Sequence, residues 1–134
     1  MLGEKVGKST GKTTGQRVLA NPGGAPKVET SFEAKGKVLG VEAKELGTYW
    51  SVVRPDGTLY GEGQGLYMGK GGEMATWIGQ GMGTMKKDGS VSYRGAIYAQ
   101  SSSAAWSRLN AVACVYEFDV DAQGNSRAEI WEWK

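Results

Sequence analysis

The side chains best placed to do chemistry in this chain are aromatic: Trp50, Trp77, Trp106, Trp131 and Trp133, with Tyr49, Tyr60, Tyr67, Tyr93, Tyr98 and Tyr116. There is no histidine and a single cysteine, Cys114. Serine or cysteine nucleophiles therefore lack their usual base, and a histidine-built metal site is excluded. Any reaction here must use carboxylates, tyrosines, arginine or shape alone. Glu117, Asp119 and Asp121 alternate along one stretch and read as a solvated outer face. Asp119, Asp121, Gln123 and Asn125 have some calcium-loop character, but the loop glycine and terminal glutamate are out of register. Near the N-terminus, Gly7-Lys8-Ser9-Thr10-Gly11-Lys12-Thr13 has three residues between its glycines, one too few for a phosphate-cradling loop. Neither a metal nor a cofactor is expected.

The aromatic residues gain meaning from the glycines between them. Gly61, Gly63 and Gly65 occupy every second position in LYGEGQGLYM, and Gly79, Gly81 and Gly83 repeat the pattern eighteen residues on in TWIGQGMGTM. Side chains of a β-strand point to alternate faces, so each run lays a strip without side chains along one face. Glu62, Gln64, Gln80 and Thr84 take the opposite, wet face. A dinucleotide fingerprint needs its third glycine three residues after the second, at a strand-to-helix turn; these glycines keep period two. The strip should look inward, on the same face as Tyr67, Trp77 and Met85, with Tyr93 and Tyr116 joining from neighbouring strands. Two readings remain open. The glycines make room for rings that fill a solid core. Alternatively, they leave a cavity in which Tyr67, Trp77, Met85, Tyr93, Tyr116, Gly63 and Gly81 hold a largely apolar ligand.

Composition bounds the class. The 134 residues make one domain, 40% hydrophobic and 22% charged, as in a globular chain rather than a disordered one. A formal charge of +2 is too small to imply a nucleic-acid partner. Charge is uneven, however. Residues 1–26 hold Lys5, Lys8, Lys12 and Arg17 against Glu4 alone, whereas residues 109–134 hold Arg127 and Lys134 against five acidic residues. Such asymmetry fits either solvated faces or head-to-tail contacts. One cysteine precludes an internal disulfide, and no apolar run resembles a signal-peptide core or a membrane span. A cytoplasmic location is the expectation.

Turn residues divide the chain. Pro22-Gly23-Gly24, Leu46-Gly47, Pro55-Asp56-Gly57, Gly69 to Gly72, Asp88-Gly89 and Gln123-Gly124-Asn125 supply positive φ or a pre-set proline φ. Between them the chain alternates: Val28, Thr30, Phe32 and Ala34 share a face, as do Val91, Tyr93, Gly95 and Ile97, and Cys114, Tyr116 and Phe118. This predicts about eight strands, near 4–19, 27–44, 47–54, 58–68, 73–86, 90–100, 110–120 and 127–133. Gly36 and Gly40 mark bulges or a bend in the long second piece. Only Ser102 to Leu109 has helical character. Short connections between alternating strands give antiparallel hairpins. The predicted fold is a single all-β domain over 1–134, a closed or nearly closed antiparallel barrel with at most one short helix. Its residues 1–26 form an N-terminal strand and a Pro/Gly loop. Glycine-rich inner faces permit the coiling that closure demands.

The segments GTYWSVVRPDGTLYGEGQG, GEMATWIGQGMG, SYRGAIYAQ and VYEFDVDAQGNSRAEIWEWK resemble a family of small uncharacterised prokaryotic β-barrel proteins, over roughly residues 27–134. More distantly, the alternating glycines and short hairpins look like the allene oxide cyclase and dirigent barrel group. That resemblance implies an eight-stranded barrel, often dimeric or trimeric, that holds hydrophobic substrates and guides cyclisation by shape. No catalytic residue of that group matches a position here. The leading expectation is a binding barrel for a small, largely apolar ligand. A cofactor-independent cyclase or isomerase, and an oligomeric scaffold with a filled core, are the alternatives; a carboxylate or arginine inside the void would favour the enzyme. Trp131 and Trp133 share one face of the last strand while Ile130 takes the other, leaving apolar area for a homodimer or trimer interface. No membrane partner is expected.

Overall fold

A computed structural model describes residues 1–134. Eight strands run β1 (Leu2–Val18), β2 (Lys27–Val38), β3 (Val41–Val53), β4 (Leu59–Gly69), β5 (Met74–Met85), β6 (Val91–Gln100), β7 (Cys114–Val120) and β8 (Asn125–Trp133). Each pairs antiparallel with the next, and β1 pairs with β8, so the sheet closes as an eight-stranded up-and-down barrel. Closure leaves no free edge. It also explains the charge asymmetry: the basic first strand lies beside the acidic last one, with Lys5 Nζ 2.5 Å from the Glu129 carboxylate. The two charged segments complement each other within one molecule.

Eight strands enclose a space just wide enough to be filled by side chains. Registers show how it is filled. Across the β4–β5 hairpin, Gly61 faces Gly81 and Gly63 faces Gly79, while Gly65 faces Trp77. On the other side of β4, Gly65 faces Gly47 and Gly63 faces Tyr49. Aromatic residues therefore lie against most of these glycines, though no ring lies against Gly61 or Gly79. A Cβ on Gly65 would collide with the Trp77 indole, one on Gly47 with the Phe32 ring, one on Gly63 with Tyr49 Cβ, one on Gly83 with the Tyr93 ring and one on Gly81 with the Tyr116 hydroxyl. The glycines face inward, and most of the space they vacate is occupied by the chain's own aromatic residues.

The second and third strands depart from the sequence reading. Leu46-Gly47 is not a turn, and 27–44 is not one strand. The reversal is at Leu39 and Gly40, both at positive φ (47° and 80°), which joins β2 to β3 by a two-residue hairpin between the paired Val38 and Val41. Paired positive φ suits the right-handed twist of the strands. A leucine in that conformation is unusual, and tertiary contacts hold it there. Its N–H donates to the Val6 carbonyl at 2.8 Å and its side chain packs on the core. Gly40 is thus a turn residue, not a bend within a strand. Gly36 is extended and sits where β1 crosses closest, since a Cβ there would strike the Lys8 carbonyl. The 110–120 strand is also shorter than expected, because residues up to Ala111 belong to a helix.

That helix, Ala104–Ala111, is 3₁₀ and sits between β6 and β7. It plugs one end of the barrel. Trp106 is wholly buried and donates its indole N–H to the Val38 carbonyl at 3.0 Å, and Leu109 is buried beside it. Arg108 anchors the helix to the rim through Glu4 and Glu132. No helix is long and apolar enough to cross a membrane.

A methyl group added where a ring already sits must displace it, and overpacking of that kind costs about 1–3 kcal/mol. Gly65→Ala and Gly47→Ala are each expected to lower the melting temperature by several degrees, read by circular dichroism. Wild-type melting in both would mean the rings do not lie on these glycines.

Candidate functional site

Beneath the helical plug, the inward face of β3 carries Glu45, Gly47, Tyr49, Ser51 and Val53 in alternation, with Glu45 nearest the closed end. Glu45 is only 7% exposed. Below it lies an internal cavity of about 70 Å³, lined among others by Phe32, Tyr49, Tyr67, Trp77, Tyr116 and Ile130. The cavity is closed toward the plug by Tyr67, whose ring meets Trp106 edge-on at 6.4 Å. No lysine or arginine lines it.

Toward the opposite end, four rings form a diaphragm. Phe32 and Phe118 lie 5.3 Å apart, Tyr49 meets Phe118 edge-on at 5.8 Å, and Tyr49 meets Tyr93 at 5.7 Å. Edge-to-face pairs of this kind are favourable beyond the area they bury. A single hydrogen bond of 2.6 Å between the Ser51 and Tyr93 hydroxyls fixes one side. Past the diaphragm the barrel opens into a mouth of about 480 Å³, lined by Thr13, Gln16, Thr30, Val53, Met85 and Val91 among others. Tyr49 and Tyr93 border both compartments. The interior is therefore neither a solid core nor one open cavity: it is a mouth and a small inner chamber separated by rings.

The electrostatics of the chamber centre on Glu45. Burial raises its pKa from 4.5 to about 7, against the Trp77 indole and Tyr67 hydroxyl, which face the carboxyl and pull the value down. Trp77 Nε1 is itself buried and has no partner at hydrogen-bonding geometry. Burial likewise pushes Tyr67 well above the usual phenol range and raises Tyr93. Tyr116 is pushed up to about 12, chiefly by burial and then by Tyr93. These phenols remain neutral hydroxyls, able to donate as well as accept.

The residues singled out from sequence fall into three places. Tyr67, Trp77, Tyr93, Tyr116 and Gly63 line the chamber. Met85 shares their face but lies at the barrel end, 55% exposed, where it borders the mouth. Gly81 is buried under the Tyr116 hydroxyl and lines neither compartment. The sequence reading missed Glu45 altogether, because a turn at Leu46-Gly47 removes it from any strand. The signal was present. Glu45 continues the period-two set of Gly47, Tyr49 and Ser51 once Gly40 is taken as the turn. The calcium-like segment has a structural use instead: Asp121 Oδ1 accepts from the N–H groups of Gln123 and Asn125, both at 2.9 Å, and holds the β7–β8 turn.

No protein-family model matches this chain, and no curated protein does. Solved structures do. A conserved protein of unknown function from Rhodopseudomonas palustris superposes with a TM-score of 0.83 at 10% identity, over 98% of this chain and 97% of that one. A protein of unknown function from Clostridium acetobutylicum gives 0.82 at 13% identity, over 96% of each chain. A β-barrel-like protein from Acinetobacter baumannii gives 0.83 at 12% identity, over 100% of this chain and 96% of that one. At such identities the likeness establishes the shared barrel over its full length and nothing of its chemistry.

A carboxyl group whose pKa is raised in the folded state binds protons more tightly there than in the unfolded chain. It therefore favours folding at low pH, and that contribution is lost as pH rises from 4.5 through about 7. Wild-type stability should fall across this window from this group. Glu45→Gln should remove that component of the slope and melt higher than wild type above pH 7. The difference is on the order of 3 kcal/mol at most. Parallel pH–stability curves for the two proteins would show that Glu45 is solvated.

Proposed function

We propose that this protein is a small-molecule-binding barrel that takes a largely apolar ligand through its open mouth. The observation that carries this reading is the aromatic-walled chamber beneath the mouth, joined to it through Tyr49 and Tyr93. Concave, mostly apolar spaces with a few convergent polar groups are the usual form of a ligand site. At about 70 Å³ the chamber is smaller than the 150 Å³ or so that accepts benzene. The body of a ligand accordingly sits in the mouth, and a narrow end passes the rings.

Gly79 allows this to be tested without breaking the fold. It lines the chamber, and the atoms nearest a Cβ there are the Ala96 carbonyl at 3.2 Å, a tight contact, and Ile97 side-chain atoms at 3.7 Å. Gly79→Val is expected to stay folded, melting a few degrees below wild type because of the tight Ala96 contact, while losing any small molecule that native mass spectrometry finds on wild-type protein purified from its own cell extract. Retention of that molecule by the variant would place the site outside the barrel.

A second reading is a cofactor-independent cyclase or isomerase, favoured by Glu45, a buried carboxyl in the chamber with a pKa near working pH. In that reading Glu45 moves the proton, and Glu45→Gln binds the ligand but leaves it unchanged. A homo-oligomeric state accompanies either reading. Its support is the exposure of Leu46, Ile78 and Tyr98 on the outer face of β3 to β6 and of Trp133 at the end of β8. A dimeric or trimeric mass by light scattering at micromolar concentration is expected, and a monomeric mass would rule it out.

A further inference from the structure

Glu45 and Trp77 Nε1 end the chamber side by side, and their hydrogen bonding is incomplete. Trp77 is 8% exposed, and its indole N–H faces the Glu45 carboxyl without reaching hydrogen-bonding geometry to it or to any other acceptor. A buried donor left without an acceptor is costly, so the chamber favours an occupant that accepts from it. Glu45 is equally enclosed and has no cation partner. Its neighbours are Tyr67 on β4, Trp77 on β5, and Cys114 beside Tyr67 on β7. Across a void of about 10 Å³ lie Gly7 to Ser9 of β1 and Gly36 to Val38 of β2. The Lys8 and Lys37 side chains in those segments are exposed. Glu132, near Cys114, is held at the rim by Arg108.

The chemistry of an occupant follows from these groups. An indole N–H can only donate, so the occupant must bring a lone pair, which an ammonium lacks. A carboxylate has lone pairs but would set a second anion beside Glu45 with no cation to offset either. With Glu45 neutral, its O–H and the Trp77 N–H are two donors that face this end of the chamber, beside the Tyr67 hydroxyl. A carbonyl oxygen accepts both and adds no proton that would need its own acceptor. An alcohol adds a third donor to a chamber already rich in hydroxyls. Resting on the binding reading given above, we propose that the chamber is a subsite for the neutral carbonyl head of an otherwise apolar ligand, held by Glu45 and Trp77 Nε1 while the tail occupies the mouth.

Binding of a medium-chain methyl ketone, measured by calorimetry beside the matched alkane, carboxylate and primary amine, tests this on the intact protein. The ketone is expected to bind at least tenfold more tightly than the other three, and its carbonyl stretch should shift to lower frequency when bound. Affinity should fall several-fold between pH 5.5 and pH 8.5 as Glu45 loses its proton. Glu45→Gln, whose amide still donates, should keep ketone binding and flatten that dependence. Trp77→Phe should bring the ketone down toward the alkane. A merely structural role for either residue would move all four probes together and leave the pH profile intact. Alkane binding equal to ketone binding overturns the carbonyl subsite and leaves the binding reading standing. A preference for amine or carboxylate overturns the subsite as well. Failure of all four probes, with no molecule retained from extract, overturns both.

Discussion

The fold depends on one steric exchange: glycine on one strand makes room for an aromatic residue carried by the next strand or the next but one. Eight strands close around a space that ordinary side chains would nearly fill. This chain removes side chains from the inner faces of β4 and β5 and supplies large rings from β2, β3, β5, β6 and β7 instead. Trp77 covers Gly65, Tyr49 covers Gly63, Tyr93 covers Gly83 and Tyr116 covers Gly81. Rings contribute large apolar area with few rotatable bonds, so the exchange yields a rigid interior from a glycine-rich sequence. It also aligns hydroxyl and indole groups along the barrel axis, where aliphatic packing would have left none.

The proposed binding role rests on the same exchange, because the fit is incomplete. The rings leave about 70 Å³ between Glu45 and the diaphragm of Phe32, Tyr49, Tyr93 and Phe118. Polar atoms in that remainder are few and unevenly paired: one carboxyl without a cation, and one indole N–H that faces it without reaching hydrogen-bonding geometry. An apolar remainder of this size would be a packing defect. Those two groups give one end of it a polar character, and the proposed binding role draws on that. Trp106 and Leu109 are buried at the plugged end, opposite the mouth.

Most of the fold was legible because alternation and glycine turns are local signals. The period-two glycine runs, the inward placement of Tyr67, Trp77, Tyr93 and Tyr116, and six of the reversals could be read from residue order alone. The β2–β3 reversal could not, since Leu39 adopts positive φ only under tertiary constraint from Val6 and the core. That single misplacement of the turn, at Leu46-Gly47 instead of Leu39-Gly40, concealed Glu45. Helix propensity was equally silent on the role of residues 104–111, whose Trp106 is fixed by a carbonyl 68 residues away in sequence. Whether the glycine strip bounds a core or a cavity is a question of a few tens of cubic ångströms. Volume at that scale is set by ring orientations, which no sequence periodicity encodes.

The character of the chamber turns on Glu45 being enclosed in it without a cation. A carbon-13 NMR titration of the Glu45 side-chain carboxyl in the ligand-free protein measures this directly. A midpoint near 7 is the expected result. A midpoint near 4.5 would contradict it, showing that the carboxyl reaches water and that the barrel is not closed at that end.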